Sequence, residues 1–324
     1  MKSAKLINGK IEIINTEIPK LTSNGAIIKV FGCGLCGSDL VKIKHAKNNP
    51  SQEVVLGHEA VGEIVEINSK TEFKKGDIVA LGHHYPCLDE NNCEYCRNKS
   101  YSMCPVFKAS NIFPAGFSEF IRVDENHLKY TVYKMNPELS YDEMAFLEPL
   151  SCCIRAVKRA GFEYEKNNSK KSALVVGLGS IGYLMCQALC AFGVDTYGFD
   201  INPERAKSAK FDPDKKYDTV FLTAGSSKAI NTALKYVING GKIIVFSSVE
   251  DDFKGFSNND IYYRELSVIA SYSPSPDDIK LSSQLLNSKI INVQGLSKYY
   301  PLDNLADAVN DSFNNKTYKA YIKI

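Results

Sequence analysis

The sequence predicts a two-domain α/β protein: a β-rich domain followed by a shortened, doubly wound parallel sheet. Three observations predict it. Short apolar runs punctuated by glycine crowd the chain up to Leu150, which suggests a compact, barrel-like β domain. From Ala173 onward strand and helix patterns alternate, the signature of a parallel sheet with helices on both faces. A Gly177-x-Gly179-x-x-Gly182 turn joins the first of those strands to the first of those helices. At 324 residues the chain is long enough for two sizeable cores.

The elements follow in order. Asn8-Gly9 lies between apolar stretches of Leu6–Ile14 and reads as a hairpin turn. Ala26–Val30, Val61–Ile67 and Asp77–Leu81 read as strands, and Tyr141–Ala160 as one helix, with Glu163–Ser172 a polar linker. Ala173–Gly177 is a short buried strand. Ile181, Leu184, Met185, Ala188, Leu189 and Phe192 then fall at helical spacing. A strand at Val194–Asp200 and a helix at Pro203–Lys210 follow. Next come a strand at Thr219–Thr223, a helix at Lys228–Ile238, a stop at Gly240-Gly241, and strands at Lys242–Ser247 and Leu266–Ser271. Leu302, Leu305, Ala306 and Val309 mark a short helix, and Tyr318–Ile324 a final strand.

Composition excludes several classes. A formal net charge of +2 gives no reason to expect a nucleic-acid partner. Lys42, Lys44 and Lys47 read as a solvated face. No apolar run reaches the ~18–20 residues of a membrane helix, and the N-terminus passes into strand-like sequence without a signal peptide. Ten clustered cysteines without a signal point to metal binding in a reducing, cytoplasmic setting.

The glycine turn has the context of a dinucleotide site. Gly177 permits the tight turn, Gly179 lets backbone approach a pyrophosphate, and Gly182 lets helix and strand pack closely. Ser180 and Ile181 open the helix whose N-terminus would face the phosphates. Asp200, at the end of the next strand, can accept both ribose hydroxyls and would repel a 2′-phosphate. It favours NAD over NADP, with Arg205 five residues later pulling the other way.

Two cysteine-bearing sets suggest metals. Cys87, Cys93, Cys96 and Cys104 can close a tetrahedron of thiolates around Zn2+, a structural site with no open position. Cys36 and His58, with Glu59 or Glu148 as the carboxylate, would make three ligands and leave a fourth position for substrate, as a catalytic zinc requires.

Together these residues carry a family resemblance. Cys36-Gly-Ser-Asp39, Gly57-His-Glu59, Gly76-Asp-Ile-Val79, the four-cysteine lobe, Ala115-Gly-Phe-Ser-Glu119, Glu148-Pro-Leu150 and Gly177-Leu-Gly-Ser-Ile-Gly182 resemble the zinc-dependent medium-chain dehydrogenases. These include alcohol, polyol and threonine dehydrogenases, and the likeness spans nearly the whole chain. It implies a GroES-like catalytic domain over 1–148 and 275–324, interrupted by a Rossmann domain over 149–274. It places catalytic zinc on Cys36, His58 and Glu59, with Glu148 coordinating directly, through water or transiently. It makes Ser38 the hydroxyl that relays the substrate proton toward the cofactor ribose. It implies two Zn2+ per chain, NAD, and a homodimer or homotetramer. The Gly-His-Glu and Glu-Pro-Leu elements point to a polyol, a sugar-derived alcohol or a 3-hydroxy amino acid as substrate.

Three departures qualify the match. The gap from Cys87 to Cys93 is three residues longer than the family's usual spacing, so Leu88–Asn92 should loop out. Val41 stands where some members carry a relay histidine, and His45 is out of register. Only Phe211–Lys216 occupies the place of a strand and helix, so that crossover should be trimmed. The same fold also serves zinc-free quinone or enone reductases and non-catalytic NAD-binding scaffolds. The intact zinc set and Ser38 argue against both. Cys33, Cys152 and Cys153 read as packing residues, and His83 and His84 as loop packing. Tyr85, Phe113, Phe117 and Tyr272 are candidate pocket residues, and Arg264-Glu265 a possible substrate or cofactor contact.

Overall fold

The computed structural model describes residues 1–48, 56–248 and 255–324. The chain divides into two compact units. One comprises Met1–Glu148, Ser275–Lys289 and Val293–Ile324, the other Pro149–Pro274 and Ile290–Asn292.

The first unit is built on a long central strand, Gly25–Gly34. It pairs antiparallel with Glu59–Ile67, Phe120–Asp124 and Lys319–Lys323. The strand path of this seven-stranded sheet runs from Ser297–Pro301 through Lys319–Lys323, Gly25–Gly34, Glu59–Ile67 and Ile78–Leu81 to Val132–Lys134. Ala26, Ile28, Val30, Ile64, Ile121 and Ile322 are buried together in its core. The hairpin forms as expected, Lys2–Ile7 against Lys10–Asn15, with φ of 50° at Asn8 and 74° at Gly9. Two positive φ values are what a two-residue hairpin turn requires, and Asn-Gly tolerates them.

The second unit is a five-stranded parallel sheet in the order Ser267–Ala270, Val237–Val245, Tyr217–Leu222, Ser172–Val176, Asp195–Phe199. The Ser172–Val176 strand is buried along its whole length. The helix Ser180–Ala191 turns Leu184, Met185, Ala188 and Leu189 inward. Among the described residues no strand follows Asp195–Phe199 at its sheet edge, so the expected trimming is present.

Four expectations change. The Tyr141–Ala160 helix is two, Tyr141–Met144 and Leu147–Arg159. Pro149 has no N–H to give to Ala145, so a continuous helix cannot pass it, whereas a first helical turn tolerates it. Gly240-Gly241 is no stop: it lies inside the strand Val237–Val245, where the register shifts and Gly240 takes φ of 75°. The Pro203–Lys210 helix is only Pro203–Ala206. Phe120–Asp124, Val132–Lys134 and Ser297–Pro301 are strands the sequence reading did not mark.

Candidate active site and metal centres

The open metal set forms where the central strand gives way to the helix Gly37–Asn48. Cys36, His58 and Glu59 each offer a ligand atom, all within 4.8 Å of one another. Glu59 pairs with Gly34 across the sheet, and a Cβ on Gly34 would collide with the Glu59 carboxylate. Only glycine leaves room for that side chain beside Cys36. His58 and Glu59 are 5% and 1% exposed, and Glu59 Oε1 has no hydrogen-bond partner among the described residues. Buried polar atoms of this kind are costly unless something else binds them.

Asp39 is fully buried and holds the corner together. Its carboxylate accepts from the Cys36 N–H at 3.3 Å and the Gly57 N–H at 3.2 Å, and lies 3.5 Å from His58 Nδ1. Burial works against its charge, but His58, Lys42 and the Gly57 N–H keep its pKa below the ordinary value. Burial likewise disfavours charge on His58, yet Asp39 and Cys36 raise its pKa well above normal. The pocket is thus rich in negative charge and suited to a cation. Lys319, buried on the last strand, forms an ion pair with Glu59. Burial opposes its charge, and Glu59, Cys36 and Glu148 more than offset that.

Glu148 is buried but outside this close group. It lies 4.0 Å from His83 Nδ1, and the His83 ring packs on His58 with centroids 4.6 Å apart. Burial, then the nearby His58 and His84, push the His83 pKa well down, so it is a neutral imidazole. His83 therefore adjoins the site rather than merely packing a loop. Ser38 is exposed at the start of the helix. His45 is exposed further along the same helix, and Val41 is half-buried.

The four-cysteine lobe brings Cys87, Cys93, Cys96 and Cys104 to within 4.8 Å of one another. All ten cysteines are free thiols. The long first gap is closed by Asp89, whose carboxylate accepts from the N–H groups of Asn91 and Asn92 at 3.1 and 3.0 Å. The Asp89 carbonyl accepts from the Cys93 N–H at 2.9 Å. Leu88–Asn92 is thereby a self-contained turn that leaves the four sulfurs convergent. Burial raises the Cys104 pKa, but N–H groups of Cys87, Phe107 and Val106 bring it to about 7. Donors aimed at sulfur favour the thiolate on Cys104, whereas burial raises the Cys96 pKa.

In the second unit the three glycines divide their work as the turn demands. Gly177 has φ of 98°, and a Cβ there would press on Ala224 at 2.7 Å. A Cβ on Gly182 would collide with the Gly177 carbonyl, while Gly179 faces open space, with Arg205 the nearest group at 3.8 Å. Ser180 and Ile181 begin the helix. Asp200 accepts from the Leu178 N–H at 2.6 Å through one oxygen and from the Asn202 N–H at 2.7 Å through the other. Both bonds fix a carboxylate whose remaining lone pairs can take ribose hydroxyls. An open glycine, a helix N-terminus and a fixed carboxylate fit a dinucleotide.

Several other residues prove structural. The Cys33 thiol is buried and its pKa raised by that burial, so it is inert. Cys153 is buried and donates to the Ile181 carbonyl at 3.8 Å. Phe117 is 1% exposed and packs on Gly57. Tyr85 donates to Asp124 at 2.7 Å. Arg264 caps backbone carbonyls of Leu234 and Val237 at 2.9 and 2.7 Å. Phe113 and Tyr272 are exposed. The sequence reading missed Asp39 and Lys319 as site residues. Asp39 had a signal in Cys-Gly-Ser-Asp, whereas nothing near Lys319 announces its place.

The alcohol dehydrogenase GroES-like domain matches residues 22–134. The (R,R)-butanediol dehydrogenase of Bacillus subtilis is 30% identical, over 83% of this chain and 83% of that protein. The D-arabitol-phosphate dehydrogenase of Enterococcus avium is 26% identical over 97% of this chain and 94% of its own length. The crystal structure of galactitol-1-phosphate dehydrogenase from Escherichia coli superposes with a TM-score of 0.83, covering 100% of both chains at 24% identity. The chain belongs to the medium-chain dehydrogenase/reductase superfamily of alcohol and polyol dehydrogenases.

Proposed function

We propose that the protein is a zinc-dependent dehydrogenase that moves a hydride between NAD and a secondary alcohol, with a polyol, a sugar-derived alcohol or a 3-hydroxy amino acid as substrate. The observation that carries this reading is the buried convergence of Cys36, His58 and Glu59, with Glu59 Oε1 left unpartnered. A zinc ion held there would supply Lewis acidity at the alcohol oxygen, and the nicotinamide would take the hydride.

The chain's own groups prepare that event. Asp39 faces His58 Nδ1 and so leaves Nε2 for the metal, the carboxylate–histidine arrangement that fixes a ligating ring. Lys319 holds Glu59 and limits the charge it adds. Ser38, exposed at the start of the helix that follows Cys36, would accept the alcohol proton and pass it to the ribose or to water, since Val41 cannot extend the relay. Glu148, poised behind His83, is the carboxylate that can approach the metal through water or transiently. Cys87, Cys93, Cys96 and Cys104 would hold a second, structural zinc. Asp200 selects NAD over NADP by accepting the ribose hydroxyls, with Arg205 alongside.

We place the enzyme in the cytoplasm as a homodimer or homotetramer. The ten free thiols support the first, and among the described residues no helix is long and apolar enough to cross a membrane. The test is metal content per chain paired with an NAD+ reduction screen over polyols, sugars and 3-hydroxy amino acids. Two zinc ions and turnover of one class support the reading. Zinc-free protein that reduces enones would place it among the quinone reductases of the same fold, and no zinc with no turnover would leave a binding role.

A further inference from the structure

We propose that His83, His84 and Phe107 form a column of packed rings that positions the His58 imidazole from the four-cysteine lobe, so that the state of the lobe sets the geometry and metal affinity of the open site. This rests on the reading of Cys36, His58 and Glu59 as that site. The His83 ring packs on His58 with centroids 4.6 Å apart and on His84 at 4.1 Å, and His84 packs on Phe107 at 4.9 Å. Phe107 is 3% exposed and shares its cluster with Cys96 and Cys104, both 0% exposed. The column therefore runs from a ligand of the open set to two sulfurs of the lobe.

Successive side chains of an extended strand point to opposite faces, so His83 and His84 could not pack on each other within one. The strand Ile78–Leu81 ends just before them, and the chain bends at His83. Hydrogen bonds then tie the bend to the lobe. His84 Nδ1 donates to the Ser110 carbonyl, the Tyr85 N–H to Ser110 Oγ at 3.1 Å, and the Cys87 N–H to the Cys104 sulfur at 3.4 Å. From another side, His127 Nε2 donates to the His83 carbonyl at 3.1 Å. Asp39 restrains the His58 ring at one edge, through Nδ1. The His83 ring covers its face and so fixes its plane. Close-packed side chains pass a displacement to their neighbours. With no cation among its sulfurs the lobe loses what draws them together. Phe107 then moves with Cys96 and Cys104, and His84 and His83 move with Phe107.

The experiment uses full-length protein loaded with zinc, its open site emptied with a chelator and titrated with Co2+, whose visible bands report ligand geometry. Lobe zinc is counted by elemental analysis and folding is checked by circular dichroism. Phe107→Leu and His83→Ala, with lobe zinc retained, should weaken cobalt binding at the open site by about tenfold to hundredfold and shift its bands, as loss of support behind a ligating ring does. His83→Phe keeps the ring face and should restore most of both. Phe192→Leu, at a buried ring of the second unit, should match the wild type, which separates positioning from general loss of stability. Cys93→Ser empties the lobe and should give the Phe107→Leu spectrum. Folded Phe107→Leu and His83→Ala proteins with wild-type affinity and bands overturn the proposal, as does an empty lobe with an unchanged spectrum. If Cys93→Ser does not fold, the first two variants decide, since they leave all four cysteines in place. Wild-type protein that takes up no cobalt beyond the lobe removes the open metal site itself, and the column then has no metal ligand to position.

Discussion

Lys319→Met isolates the contribution of the charge buried behind the open metal set. Lys319 is ion-paired with Glu59, and both side chains are buried, at 6% and 0% exposure. Methionine preserves most of the volume and removes the charge, leaving a carboxylate with two unpartnered oxygens in the core. Breaking a buried pair in this way costs about 3–5 kcal/mol, most of it the desolvation of the partner left behind. For a domain of this size that is a fall in melting temperature of roughly 6–20 °C. Zinc should reverse most of the loss, because a dication on Glu59 replaces the missing ammonium. The assay is urea denaturation of wild type and variant, each stripped with a chelator and then reloaded with zinc. A metal-free variant as stable as the metal-free wild type would refute the claim that Lys319 compensates Glu59. A deficit that zinc leaves untouched would show that Glu59 is not a ligand.

Other perturbations separate the remaining sites. Cys36→Ser should lower kcat by about three orders of magnitude or more, since Lewis-acid stabilisation is worth several kcal/mol. NAD binding by fluorescence should be unchanged, and wild-type rates would remove Cys36 from the active site. Cys96→Ser should lose one zinc per chain by elemental analysis, with a stability loss on the order of several kcal/mol. A variant that melts normally with full zinc would mean the lobe holds no metal. Lys210 and Lys215 bring the pKa of Asp195 down to about 2. Its stabilising share is therefore present above the unfolded value of about 3.9 and is lost as pH falls through about 2. Asp195→Asn removes that share at neutral pH, so its acid-unfolding limb between pH ~4 and ~2 should be shallower. The effect should stay below about 1 kcal/mol for so exposed a pair. An identical acid limb in the variant would deny the pairing.

What the sequence disclosed was whatever depends on neighbours along the chain. The Asn8-Gly9 hairpin, the Gly177–Gly182 turn with Asp200, and the cysteine lobe are each set by local spacing, and each is in place. Positions set by distant strands were not legible. Lys319 meets Glu59 only because the last strand pairs with Gly25–Gly34, which pairs in turn with Glu59–Ile67. No local pattern marks such a lysine as an active-site residue. His83 was undervalued for the same reason: its role follows from a ring contact with His58 that two separate strand ends create. Phe117 and Tyr85 were overvalued because an aromatic near a motif reads alike whether it faces a pocket or the core. Their burial and the Tyr85–Asp124 bond are tertiary facts.

The trimmed crossover raises a separate physical problem. Removing a strand leaves Asp195–Phe199 at the edge of the sheet, and an exposed edge invites pairing with another chain. The short segment that replaces the missing unit covers this edge. The Lys210 carbonyl accepts from the Gly198 N–H at 3.0 Å, which satisfies one edge donor. Lys210 and Lys215 each place an ammonium 4.2 Å from the Tyr197 ring centroid and pair with Asp195 at 2.6 and 2.9 Å. Phe211 packs against Phe199 and Tyr236, closing the inner side. Lysines laid against an edge strand deter further pairing, and here both ammoniums share the one carboxylate of Asp195. The shortening is therefore compatible with a stable sheet. On the proposed function its consequence lies at the nucleotide end, where Asp200 and Arg205 would hold the adenosine half of the cofactor without the extra strand.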